Sequence, residues 1–72
     1  MSMTVELNII AESIHKLRID NKLTQIEMAD VLGYSERTIR RLETNGTNDI
    51  NVINLIATVF KVSAQSILFG CF

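Results

Sequence analysis

Apolar residues recur along this chain at the three- and four-residue spacings of helices that bury one face, and the breaks between them are polar or contain glycine. Ile10, Ile14 and Leu17 form one stripe and predict a first helix over 8–20, followed by a turn at Asn21, Lys22 and Leu23. Met28, Ala29 and Leu32 mark a second helix over 25–32, and Ile39 and Leu42 a third over 36–44. Asn45-Gly46-Thr47-Asn48 reads as a loop. A fourth helix over 50–60 is expected to point Ile50, Ile53, Ile56, Ala57 and Phe60 inward, with Val52, Leu55 and Val59 left as a second apolar stripe. Ser63 then caps a short fifth helix carrying Ile67 and Leu68. The pattern predicts an all-α fold: one compact five-helix domain over 1–72, its core at about 9–69, without an internal repeat.

The local chemistry at the breaks agrees with this division. Thr24 with Glu27 three residues later makes a capping box for the second helix, Gly33 permits a left-handed turn, Ser35 caps the third helix and Asp49 the fourth. The second and third helices are therefore short and joined by a tight Gly33-Tyr34-Ser35 turn. Between its inward residues the third helix carries Glu36, Arg37, Arg40 and Arg41, long side chains able to reach phosphates or base edges in a major groove. A helix pair of this kind is also ordinary architecture in small bundles, so spacing alone leaves both readings open.

The run LRIDNKLTQIEMADVLGYSERTIRRLETNG, followed by a helix and a short terminal turn, resembles the Cro/C1-type (XRE-like) helix-turn-helix family, over roughly residues 9–69. Arg18, Thr24-Gln25, Ala29, Leu32-Gly33, Ser35, Ile39, Leu42-Glu43 and Val62-Ser63 carry the resemblance. It implies that the chain binds double-stranded DNA, with the third helix reading bases. Glu36, Arg37 and Arg41 are the base-reading candidates: arginine can contact guanine O6 and N7, and glutamate can accept from cytosine N4. Glu36 has a second reading, as a helix-start charge paired with Arg40. Gln25 and Ser35, at helix starts where backbone N–H groups attract anions, are candidates for the DNA backbone, together with Arg40, Thr44, Asn45, Thr47 and Asn48. The Glu43-Thr44-Asn45-Gly46 run departs from the family's usual glutamate-asparagine-glycine, and Asp49 stands near the place of an absent proline. This loop brings hydrogen-bond donors without positive charge, so weaker backbone contact is expected there. Arg18 and Glu43 flank core positions and are either separate exposed charges or a cross-helix pair; the resemblance implies the pair, as a structural link between the first helix and the third.

Composition changes this picture in one respect. Eight acidic against seven basic residues give a net charge of −1, which counts against binding driven by bulk charge. Recognition must then rest on a local surface and on two copies docking together. A two-fold dimer can place two reading helices in successive major grooves, about 34 Å apart. The surplus apolar residues Leu55, Val59, Ile67, Leu68, Phe69 and Phe72 are the candidate dimer interface, with the alternative that Ile67 and Leu68 complete the core of one copy.

Other chemistry is thinly represented. His15 is the only histidine and, without companions, fits a solvent-facing helical position rather than a metal site; the single cysteine, Cys71, reads as inert. No phosphate-binding glycine loop and no nucleophile–base–carboxylate set is present, so neither enzyme chemistry nor a cofactor is expected. No segment has the length of a membrane span and the expected location is the cytoplasm. Three roles compete: a homodimeric transcription regulator on an inverted-repeat operator, akin to restriction–modification controllers and phage Cro-like proteins and repressing, or activating by touching RNA polymerase; a DNA-binding antitoxin with a cognate toxin on its C-terminal apolar residues; and a protein-interaction module.

Overall fold

The computed structural model describes residues 6–70. Among them the chain forms five helices and no strand: α1 (Leu7–Asp20), α2 (Gln25–Leu32), α3 (Glu36–Asn45), α4 (Ile50–Phe60) and α5 (Ala64–Phe69). The expected boundaries hold to within a residue. α1 begins one position earlier than its apolar stripe suggested, and α3 continues through Asn45, which therefore ends a helix instead of opening a loop.

Each junction has an identifiable cause. Thr24 accepts the Glu27 amide at 3.1 Å while Glu27 accepts the Thr24 amide at 2.8 Å, a reciprocal box that starts α2. Gly33 ends α2 at φ 77°, in the left-handed region where a side chain is unfavourable. Ser35 accepts the Thr38 amide at 3.1 Å, Asp49 the Asn51 amide at 2.9 Å and Ser63 the Ser66 amide at 3.1 Å, so α3, α4 and α5 all start on side-chain caps. Two lysines, Lys22 and Lys61, hold the left-handed conformation after α1 and α4 at φ 58°, where glycine is the usual occupant.

α1 packs against α3 and α5, α2 against α3 and α4, and α4 against α5. Ile10, Ile14, Met28, Ile39, Ile53, Ile56 and Ile67 are fully buried where these helices meet. Each contributes roughly 1.5–3 kcal/mol of transfer free energy. Two expectations are corrected. Ile50, the first residue of α4, is 52% exposed, while Ile53 in the same turn takes the buried place. Ile67 is wholly inside the protomer, which removes it from the candidate dimer surface. Leu55, Val59, Leu68 and Phe60 are half-buried against the same core. Phe69 is exposed, and Phe72, with Cys71, lies outside the described residues.

Gly46 does more than make a flexible loop. Its φ of 71° and ψ of −166° are reached almost only by glycine, and a Cβ there would collide with the backbone carbonyl of Leu7. The segment after α3 is thereby seated directly on the first turn of α1.

Candidate nucleic-acid interface

α3 separates its residues cleanly. Ile39 and Leu42 are buried, and on the opposite side Arg37, Arg40, Arg41, Thr44 and Asn45 line an open depression of about 260 Å³. Arg37 and Arg41, four residues apart, project from the same face, as α-helical geometry requires. Glu36 opens α3, where the helix dipole favours its charge, and its Oε2 lies 3.4 Å from Arg40 Nη2. This exposed pair is worth only about 0.3–0.5 kcal/mol, so it orients Arg40 without holding it.

The other acidic residue of α3 is engaged far more tightly. Glu43 accepts from Arg18 Nε at 2.6 Å through Oε2 and from Arg18 Nη2 at 3.0 Å through Oε1, a bidentate pair that joins α1 to α3. Arg18 also donates from Nη1 to the Leu23 carbonyl at 3.0 Å, so one guanidinium links α1, its following turn and α3. The two side chains are 12% and 6% exposed, which makes this a largely desolvated pair rather than a solvated contact. Burial alone would push the Glu43 carboxyl up, but the hydrogen bonds from Arg18 and then His15, with their positive charges, outweigh it and hold the group below its ordinary value.

His15 is the residue that the sequence did not reveal. Its side chain is half exposed, as a solvent-facing position predicts, yet Nδ1 lies 2.8 Å from Glu43 Oε1. The two residues are 28 positions apart, so only the packing of α1 on α3 brings them together. A signal was present: His15 lies three residues before Arg18, on the same helix face.

With both carboxylates of α3 matched to cations, Arg37 and Arg41 are the uncompensated charges on its outer face, and among the described residues neither makes an ion pair. The chain's overall charge of −1 is therefore no guide to the potential at this surface. The remaining backbone candidates divide. Gln25 is the first residue of α2 and half-buried, and Ser35 is engaged in capping α3. Thr44 is exposed, and its hydroxyl donates to the Arg40 carbonyl at 2.8 Å within the helix. Thr47 accepts the Asp49 amide at 3.1 Å, which leaves its own proton available, and Asn48 is exposed beside it.

A helix-turn-helix family model matches residues 14–67, from the middle of α1 to the buried Ile67 of α5. The chain belongs to the Cro/C1-type helix-turn-helix family. No curated protein matches it. In this helix-turn-helix protein α2 and α3 are the paired helices of the motif, and membership makes the chain a DNA-binding regulator in general terms. No helix among the described residues is long and apolar enough to cross a membrane.

Proposed function

We propose that this helix-turn-helix protein is a sequence-specific transcription regulator that binds an inverted-repeat operator on double-stranded DNA as a homodimer, in the cytoplasm. The observation that carries the reading is the outer face of α3, where Arg37 and Arg41 are exposed one turn apart and, among the described residues, no carboxylate pairs with them, on a helix whose other face is locked into the core. Arg37, Arg41 and Glu36 read base edges; Glu36 exchanges its weak pair with Arg40 for a cytosine amino group, and Arg40 turns to phosphate. Gln25, Ser35, Asn45, Thr47 and Asn48 fix the register through the sugar–phosphate backbone. A dimer so placed obstructs RNA polymerase and represses.

The second copy is placed on the α4–α5 edge. Phe69 is 65% exposed there, and Leu55, Val59 and Leu68 each leave part of an apolar side chain uncovered. Burying this edge across a two-fold axis removes it from water.

Selection of bound fragments from a genomic DNA library with purified protein tests the reading, and an enriched inverted repeat is the expected outcome. Arg37→Ala and Arg41→Ala then each lose roughly 1–3 kcal/mol of preference for that site over a scrambled one, whereas Gln25→Ala weakens both sites alike. Unchanged discrimination in both arginine variants rejects α3 as the reader. Sedimentation at micromolar concentration tests the dimer: a monomer that grips one half-site as tightly as the full repeat excludes it. Leu55→Asp with Phe69→Asp is expected to give a folded monomer with weakened operator binding.

A further inference from the structure

The Nδ1 atom of His15 meets two groups with opposite demands. It lies 2.8 Å from Glu43 Oε1, which has only lone pairs to offer, and 3.2 Å from Arg18 Nη2, which has only protons. One nitrogen cannot serve both. The Arg18 Nη2 group already donates to Glu43 Oε1 at 3.0 Å, so it has a partner without the imidazole. The shorter contact, to a carboxylate held largely out of water, is tolerable only if Nδ1 carries a hydrogen.

We propose that His15 is a positioning residue for α3: its imidazole, carrying a hydrogen on Nδ1, supplies the third donor to the Glu43 carboxylate and so holds the DNA-reading helix at a set angle on α1. With Arg18 Nε and Nη2, Nδ1 surrounds the carboxylate with three N–H groups from one helix, all aimed at the last full turn of α3. Removing one donor leaves the bidentate pair intact and the fold standing, but widens the range of orientations that α3 samples. The affinity for DNA then falls in proportion to the fraction of molecules with α3 correctly placed.

The charged groups around the imidazole are few. From α3 it faces Glu43, while Arg40, one turn earlier, is turned to Glu36 at 3.4 Å. α5, the other helix packed on α1, has no titratable side chain. On α1 itself Arg18 is in contact, Lys16 is paired with Asp20 at 3.1 Å, and Glu12 lies one turn before. Glu43 is thus the acceptor that selects the tautomer.

This inference rests on the reading of α3 as the DNA-contacting helix, and the test keeps the two apart. Nitrogen-15 shifts of the wild-type imidazole, followed through its titration, report which nitrogen keeps the proton in the neutral form; Nδ1 is expected. Operator binding is then compared for His15→Asn, His15→Gln and His15→Ala. Asparagine places an N–H where Nδ1 stood and is expected to bind close to wild type. Glutamine reaches only to the Nε2 position, and it and alanine are expected to weaken operator binding about five- to tenfold, the scale of one lost hydrogen bond. Asparagine is the poorest helix former of the three, so a role in helix stability alone gives the opposite order. A neutral imidazole protonated on Nε2, or an asparagine variant that binds no better than alanine, overturns the proposal. Arg37→Ala and Arg41→Ala serve as the separate control: if both leave operator discrimination intact, the reading of α3 has failed, and the tautomer still decides whether His15 donates to Glu43.

Discussion

Replacing Glu43 by methionine removes one member of the link between α1 and α3 and leaves the other in place. The Arg18 side chain is 12% exposed, and without the carboxylate its guanidinium keeps the Leu23 carbonyl as its main partner. Breaking a buried pair on one side costs 3–5 kcal/mol, and the surviving contact to Leu23 places Glu43→Met at about 3 kcal/mol. Arg18→Met is milder, at about 2 kcal/mol, because the stranded carboxylate keeps the His15 donor and can take up a proton. The double variant, with two flexible apolar side chains in place of the pair, loses about 2 kcal/mol, less than Glu43→Met alone. The coupling is then about 3 kcal/mol, at the upper end for residues in contact. Urea unfolding at neutral pH, followed by helical circular dichroism, measures all four proteins, and in a domain of this size 1 kcal/mol moves Tm by about 4–8 °C. The exposed Lys16 and Asp20 pair, treated in the same way, is the internal control and is expected to couple by under about 0.5 kcal/mol. If the Arg18 and Glu43 losses simply add, the link between α1 and α3 contributes no more than a solvated contact, and the reasoning fails.

Acid should weaken the same link. The Glu43 carboxyl is held below its ordinary value of 4.5, so its contribution to stability is complete above that pH and disappears as the pH falls through the lower folded-state value; the double methionine variant should lack this component in an acid titration followed by circular dichroism. Gly46→Ala forces a Cβ against the Leu7 carbonyl at a backbone conformation that alanine does not adopt, and a loss of at least about 2–3 kcal/mol is expected in urea unfolding, whereas near-neutral behaviour would show that the loop is not seated on α1. Lys61→Gly relieves a left-handed residue that costs about 1–2 kcal/mol and gives back part of the gain as chain entropy, so thermal unfolding should show a small net stabilisation with operator affinity unchanged.

What the sequence determined by itself is local. Thr24 and Glu27, Gly33, Ser35 and Asp49 act within two or three residues of themselves, so the starts of α2, α3 and α4 and the end of α2 could be read before any packing was known. The outward set of α3 was legible for the same reason: once Ile39 and Leu42 face inward, helical geometry fixes where Arg37 and Arg41 point. Tertiary structure decided what periodicity leaves undetermined. A helical stripe does not say which neighbour covers it, so Ile50 and Ile67 ended on opposite sides of the expectation, one in solvent and one in the core. The partners of Glu43 come from α1, and the close approach of Gly46 to Leu7 depends on where that helix begins in space. For His15 the only local signal was its place three residues before Arg18; its hydrogen bond to Glu43 exists only when α1 and α3 are packed together. The neutralisation of Glu36 and Glu43, which leaves Arg37 and Arg41 to set the charge of the reading face, combines one contact within a helix and one between helices. Net charge, a sum over the chain, contains no information about either.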